Sequence, residues 1–235
     1  MTVTDSVKGF GKGLSAIIRC TRASEGFMRR LPPIVLFLAT AANAEPQPHW
    51  TSLFNGKSLG QWKATPFTGS PTPRVENGAI VLTAGHPLTG VTWSGKFPES
   101  GYELRFEAAR LRGGDFFASV TFPAGGNFAT WVLGGWGGDI VGISSLDGWD
   151  ASDNETRSYF NFDTGHWYAF RLQVTAETIV AWIDHQRIVN VEIRGRAISL
   201  RHGDIKLSAP LGFASYNTTG GIRKIEYRPL IEKQN

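Results

Sequence analysis

Apolar side chains occupy every second position through much of the chain after residue 45, and this alternation limits the possible folds more than any other feature. Residues 102–109 and 168–175 show it most clearly. A period of two is typical of β-strands with one buried and one solvated face. No stretch keeps apolar residues at helical spacing for three turns, so helices are not expected to form the core.

Turn signals separate many further short strand-like runs. Asn77-Gly78 and Asp184-His185 predict hairpin turns, because Asn, Asp and His tolerate a positive φ better than most residues. More than ten short strands without a helical crossover exclude a parallel sheet. We therefore predict an all-β fold, an antiparallel two-sheet jelly-roll sandwich rather than a barrel. The other predicted strands are 79–83, 116–122, 128–133, 140–144, 156–162, 178–183, 187–193, 211–215 and 222–227.

Charge and cysteine content exclude several classes of function. The chain has 24 basic and 20 acidic residues, and residues 1–44 hold six of the basic ones, two of the acidic ones and the sole cysteine. The remaining chain is net neutral, so we expect no nucleic-acid partner. Because it lacks cysteine, it cannot contain a disulfide, a thiolate zinc site or a thiol nucleophile.

The N-terminal segment, residues 1–44, predicts export. Two arginines at 29 and 30 precede a short apolar run over 31–41, and Ala42-Asn43-Ala44 forms a small-x-small cleavage site. We interpret Met28 as the start of this signal peptide and residues 1–27 as an upstream extension. The apolar run is shorter than the roughly 20 residues of a bilayer span. We expect cleavage after Ala44, no membrane span in the mature protein, a single domain over 45–235, and a periplasmic or extracellular location.

A glycine-rich segment surrounds Trp136. Gly134, Gly135, Gly137 and Gly138 flank this tryptophan, and glycines inside a sheet cost backbone entropy, so a specific need for them is expected. They can form a bulge or bend beneath packed aromatics. Alternatively, they clear a shallow floor over which Trp136 presents its ring to a sugar.

The segment 144–157, called here the acidic segment, contains four carboxylates and an amide within nine residues. These are Asp147, Asp150, Asp153, Asn154 and Glu155. Such a group repels itself unless cations, donors or solvent compensate. Three interpretations remain open: a calcium site using the three aspartates, a solvated loop, and a carbohydrate-contacting loop that includes Trp149 and Asn154.

Asp115 follows a glycine pair at the start of a predicted strand. It either caps that turn or acts as a general base. The five histidines are not spaced as ligand pairs on one strand face or helix, so no zinc site is expected.

Several segments together resemble the 3-keto-disaccharide hydrolase domain family over about residues 50–230. The opening segment 50–59 (WTSLFNGKSL) carries much of this resemblance. Residues 61–62, 75–78, 101–105, 165–168, 181–184, 210–213 and 222–225 contribute to it as well. The resemblance implies a concanavalin A-like jelly roll of the lectin and glucanase type, in a secreted subgroup of the family.

The resemblance also implies glycosides oxidised at the sugar 3-position as substrates. A 3-ketone acidifies the proton on the neighbouring carbon, so that a base can remove it and the glycosidic oxygen can leave from the anomeric carbon. We predict that Asp115, Asp139 and Glu155 supply the acid-base groups. We further predict that Trp136, Gly135, Gly137, Trp149 and Asn154 contact the sugar. A non-catalytic carbohydrate-binding module remains the alternative, since the same sandwich serves lectins and hydrolases.

Overall fold

The computed structural model describes residues 48–231, which form fifteen β-strands and one short 3-10 helix. The all-β antiparallel sandwich predicted from the alternation is confirmed. The strands are β1 (Thr51–Ser52), β2 (Trp62–Ala64), β3 (Arg74–Glu76), β4 (Ala79–Leu82), β5 (Leu88–Trp93), β6 (Tyr102–Arg112), β7 (Ser119–Ala124), β8 (Asn127–Gly135), β9 (Ile140–Ser144), β10 (Ser158–Tyr159), β11 (Tyr168–Val174), β12 (Thr178–Ile183), β13 (Gln186–Glu192), β14 (Gly212–Tyr216) and β15 (Thr219–Pro229). The 3-10 helix spans Asp204–Ser208 between β13 and β14.

The strands pair into two open antiparallel sheets. The eight-stranded sheet has the order β13-β12-β11-β6-β15-β4-β3, with β1 paired to β15. The seven-stranded sheet has the order β10-β9-β8-β7-β14-β5-β2. Several neighbouring strands are distant in the chain, such as β6 with β15 and β7 with β14, as a jelly roll requires.

The core lies between the two sheets and is rich in aromatic side chains. Phe106 and Phe170 stack across β6 and β11 with ring centroids 5.0 Å apart. Phe213 and Trp131 reach the same region from the seven-stranded sheet, at 4.8 Å from Phe106 and 5.7 Å from Phe170 respectively. These four side chains are almost fully buried, so they join the two sheets into one apolar core.

Both predicted hairpin turns are present. Asn77 has φ 50° and Gly78 has φ 77° between β3 and β4. Asp184 has φ 52° between β12 and β13, where Ile183 pairs with Gln186. The predicted strand 156–162 was too long, because only Ser158–Tyr159 pairs, with β9.

Charged pairs cover the outer face of the eight-stranded sheet. Glu103 is fully buried, and its carboxylate accepts hydrogen bonds from Arg171 at 3.1 Å and Arg228 at 2.8 Å. Glu226 bonds Arg105 on the same face, with both side chains partly exposed. Polar positions in the alternating pattern therefore form ion pairs on this face.

Residues 48–231 include no helix with the length and apolar character that a membrane span requires. The predicted signal peptide and its cleavage site lie outside the described residues.

Candidate functional site

The seven-stranded sheet carries a cavity of about 400 Å³ on the face turned away from the core. Val120, Trp131 and Ile143 point into the core from β7, β8 and β9. Their neighbours Ser119, Thr130 and Ser144 line the cavity instead, because successive side chains on a strand face opposite sides. The floor therefore contains hydroxyl groups from three adjacent strands beside the apolar side chain of Val132.

Three connections between strands form the walls. Asp115 and Phe116 come from the β6–β7 connection, and Trp136 comes from the turn after β8. The long segment between β13 and β14 forms the opposite side. It contributes Arg201, His202, Asp204 and Ile205, and Leu88, Val132 and Tyr216 complete the lining.

Asp115 is held in the wall by backbone hydrogen bonds. Its Oδ1 accepts a bond from its neighbour Phe116 N at 2.7 Å, and its Oδ2 accepts one from Gly137 N at 3.2 Å. The Asp115 N–H in turn donates to Thr218 Oγ1 at 3.0 Å. These bonds fix a half-buried carboxylate at the cavity surface and include the turn capping considered from the sequence, whereas the general-base role stays a prediction.

Trp136 stands at the rim with 39% of its surface exposed and a φ of 49°. The Arg201 guanidinium carbon lies 5.4 Å from the centre of its ring. Arg201 Nε also pairs with Asp150 Oδ2 at 3.1 Å, so the cation is shared between the ring and a carboxylate of the acidic segment. The cavity thus combines an aromatic face with a positive charge.

The glycines around Trp136 have a structural reason. The β8–β9 register shifts between Leu133 and Gly135, which is the bulge considered from the sequence. A Cβ on Gly134 would lie 2.5 Å from Arg110 Nη2, and one on Gly138 would lie 2.6 Å from Gly114 O. Only glycine fits these two positions without displacement. Gly137 faces open space, and a Cβ on Gly135 would lie 2.7 Å from a methyl of the cavity residue Val132.

The three predicted acid-base carboxylates take different places. Among the described residues, Asp115 lines the cavity together with Trp136, whereas Asp139 and Glu155 do not line it. Asp139 directly follows Gly138, and its negative charge acts on the Arg110 guanidinium. Glu155 pairs with Arg196. Hydrogen bonding to Arg196 holds the pKa of the Glu155 carboxyl below its usual range.

The acidic segment is compensated by donors of this chain. Asp147 accepts bonds from Ala197 N and Arg196 Nε, both at 2.8 Å, and these two donors lower the pKa of its carboxyl. Asp150 accepts a bond from Ser145 Oγ at 2.9 Å, and Asp153 accepts one from its neighbour Ser152 at 2.6 Å. Residues 48–231 contain no group of three or more His, Cys, Asp or Glu side chains placed to hold a metal ion. Asp147, Asp150 and Asp153 are bonded by donors of this chain in the structure, and calcium binding by them stays a prediction.

Asn154 and Trp149 have distinct roles in the same segment. Asn154 Nδ2 donates to Ile143 O at 2.7 Å and to Trp149 O at 3.0 Å, so this amide fastens the segment to β9. Trp149 is 62% exposed, which leaves most of its ring open to solvent.

Sequence reasoning missed the wall formed by Arg201, His202 and Asp204. The signal was available, since these three functional side chains occur within four residues of the long connection between the predicted strands 187–193 and 211–215. Connections of this length on a rigid scaffold often carry binding and catalytic groups.

Comparison with known proteins agrees with the fold and the resemblance seen in the sequence. A family model described as a 3-keto-alpha-glucoside-1,2-lyase-like domain matches residues 49–228. No curated protein matches the chain. Among solved structures, a candidate glycosyl hydrolase from Parabacteroides distasonis has a TM-score of 0.50 at 12% identity, covering 77% of this chain and 94% of that one. A Crh5 transglycosylase in complex with NAG has a TM-score of 0.53 at 9% identity, covering 80% of this chain and 88% of that one. At these identities, the two structures show a shared fold.

Proposed function

Because this chain belongs to the 3-keto-alpha-glucoside-1,2-lyase-like domain family, we propose that it is an enzyme that cleaves 3-keto-glycosides in the cavity on the seven-stranded sheet. One observation carries this proposal above the others. Asp115, Arg201 and His202 line the same cavity as Trp136, so a base, a cation and a proton donor surround a place where a sugar can stack.

The reaction needs few groups. A base removes the proton from C2, next to the 3-ketone, and the electrons form an enolate. The enolate then expels the glycosidic oxygen from the anomeric carbon, which leaves an unsaturated keto sugar. Addition of water to the anomeric carbon of this unsaturated sugar would complete a net hydrolysis. The chemistry therefore requires a base, a group that stabilises the enolate oxygen and an acid for the leaving oxygen.

Asp115 is our choice for the base. Two backbone N–H groups hold its carboxylate, so the position and orientation of this group are set before a sugar binds. Arg201 supplies the positive charge that stabilises an enolate oxygen. His202 and Asp204 lie beside Arg201 in the cavity wall, and either can return a proton to the leaving oxygen.

Sugar binding would use the ring of Trp136 and the hydroxyl floor. Sugars have apolar C–H faces and polar edges, so an aromatic wall beside Ser119, Thr130 and Ser144 suits both kinds of surface. The exposed ring of Trp149 offers a further contact for a substrate that extends beyond the cavity. We also propose that the protein is exported, on the strength of the signal-peptide pattern. A mature N-terminus at Glu45 in exported material would establish this.

The decisive experiment compares a 3-keto-glucoside with its unoxidised parent and measures the released aglycone. We expect release from the keto substrate alone, because only the ketone acidifies the C2 proton. Asp115→Asn should reduce the rate by about 10²–10⁴-fold, the usual contribution of a general base. Asp163→Asn is the matched control, since Asp163 is an exposed carboxylate away from the cavity lining.

Each outcome has a clear meaning. If the protein binds both sugars and releases aglycone from neither, the enzyme proposal fails and a carbohydrate-binding module becomes the better account. Asp139→Asn and Glu155→Gln variants in the same assay test the other two carboxylates predicted from the sequence. A loss in either variant equal to that of Asp115→Asn would contradict the assignment of the base to Asp115 alone.

A further inference from the structure

Arg110 is a buried cation at the end of the core beneath the cavity wall. It continues the inward-facing positions of β6 after Phe106 and Ala108, and only 7% of its surface is exposed. Its guanidinium carbon lies 5.4 Å from the ring centre of Phe117 and 5.6 Å from that of Phe162. An arginine in this position is desolvated, which is costly unless its donors and charge find partners.

The partners of Arg110 are mainly backbone carbonyls. Nη2 donates to Gly138 O at 2.5 Å and Nη1 donates to Phe162 O at 3.4 Å, while the buried Nε finds no hydrogen-bond partner among the described residues. Burial lowers the pKa of the guanidinium, and the groups that act against this are Asp115, Tyr168 and Asp139. Because desolvation of the Arg110 guanidinium is unfavourable, we expect this side chain to do more than fill apolar space.

The Gly138 carbonyl connects Arg110 to the cavity. The preceding residue, Gly137, donates its N–H to Asp115 Oδ2 at 3.2 Å, and the residue before that is Trp136. Arg110 therefore holds the turn from the core side, while Asp115 contacts it from the cavity side. A Cβ on Gly134 would lie 2.5 Å from Arg110 Nη2, so the guanidinium also lies against the other end of the same turn.

We propose that Arg110 is a positioning residue, which holds the turn 134–138 so that the Gly137 N–H fixes Asp115 and Trp136 stays at the cavity rim. Arg110 touches no substrate in this assignment, and its effect passes through the backbone of the turn. The catalytic part rests on the proposed function, whereas the effect on the turn can be measured without any substrate.

The test uses the full chain with Arg110→Met, which keeps an unbranched apolar stem and removes both hydrogen bonds and the charge. Arg110→Lys keeps the charge and one donor group but not the planar fork of the guanidinium. Arg112→Met is the matched control, because Arg112 is an exposed arginine two residues further along the same strand. Amide hydrogen exchange at residues 136–138, kcat and KM on a 3-keto-glucoside, and thermal unfolding are measured for each protein.

In Arg110→Met we expect Gly137 exchange to accelerate at least tenfold while the core strands keep their protection. At a temperature where the variant is folded, kcat should fall by about tenfold to 10²-fold, since a small displacement of a catalytic group costs this much. KM should rise severalfold because Trp136 moves as well. Arg110→Lys should recover part of kcat, and Arg112→Met should match the wild type.

A packing role alone would lower the melting temperature and leave exchange at 136–138, kcat and KM within twofold of the wild type. That result would overturn the proposal. Should Arg110→Met fail to fold, Gly138→Ala tests the same turn from the other side, because the new Cβ would press on Gly114 O. If Gly138→Ala left Gly137 exchange and kcat unchanged, the turn would not control the site and the proposal would fail. If the wild type cleaves no 3-keto-glycoside, the proposed function fails, and the exchange data still decide whether Arg110 holds the turn.

Discussion

Two glutamates on the outer face of the eight-stranded sheet should differ sharply in their contribution to stability. Glu103 is fully buried and bonds two arginines, whose side chains are 41% and 20% exposed. Glu226 bonds one arginine, and the two side chains are 28% and 45% exposed. Replacing each glutamate by Gln keeps the shape and removes the charge, so the comparison measures the combined effect of burial and of the second arginine partner.

The structure sets the expected magnitudes. A hydrogen bond to a charged group contributes about 1.5–3 kcal/mol, and Glu103→Gln weakens two of them, one of which involves a substantially exposed arginine. We expect a loss of about 3 kcal/mol, or about 6–12 °C in melting temperature for a domain of this size. Glu226→Gln should cost about 0–1 kcal/mol, as solvent-exposed pairs usually do.

Thermal unfolding followed by circular dichroism at pH 7, in low and high salt, measures both variants. High salt should shrink the Glu226→Gln effect and leave most of the Glu103→Gln effect, since buried pairs are screened less. Equal shifts in the two variants would refute the reasoning, because burial would then not govern the strength of these pairs.

Three further predictions concern the site and its surroundings. Trp136→Ala should weaken sugar binding in ligand titrations with a smaller loss of stability than Trp131→Ala, which truncates a fully buried ring and should cost about 3–5 kcal/mol in a thermal melt; the opposite ranking would place Trp136 in the packing rather than the site. The pKa of the Asp147 carboxyl is lower in the folded protein than its unfolded value near 3.8, so the ionised carboxylate stabilises the fold at pH values above 3.8. This stabilisation is lost as the pH falls through the folded pKa. Asp147→Asn should therefore melt below the wild type at pH 7, and the difference should shrink as the pH falls below 3.8, so a constant difference on acidification would contradict the assignment. A chelator should leave the melting temperature unchanged, because arginines and hydroxyls already bond the carboxylates of the acidic segment, whereas a drop of several degrees would indicate a bound cation.

The sequence predicted the fold because the alternation of β6 and β11 is set by local side-chain chemistry. Leu104, for example, lies on the apolar face of β6, and this face points to the core in any antiparallel sheet that buries it. The Asn77-Gly78 hairpin was equally accessible, since its positive φ values require particular residue types. The late start of β10 was not predicted, because Thr156 and Arg157 donate their N–H groups to Asn154 within turns of the acidic segment rather than to a neighbouring strand.

The candidate site was predicted only in part. Asp115 and Trp136 carried local signals, a glycine pair and a glycine-rich turn, and both line the cavity. The wall with Arg201 and His202 also carried a local signal, three functional side chains within four residues, but its position over the sheet depends on the path of a long connection. Arg110 was hidden for a different reason. It occupies an apolar position in the alternation of β6, and only the carbonyls that surround it reveal why a charge is there.

The edge strands of the two sheets differ in length, and this limits how another polypeptide can extend either sheet. Within residues 48–231, β1 and β10 offer two residues each, and β2 and β3 offer three each, too few to template a stable added strand. Only β13, with seven residues, presents a long open row of backbone donors and acceptors. Its exposed positions include Arg187, Asn190 and Glu192, whose desolvation would oppose the approach of an apolar strand. The short edge strands of the described residues therefore oppose edge-to-edge aggregation, and among these strands β13 is where strand exchange between copies of this chain would begin.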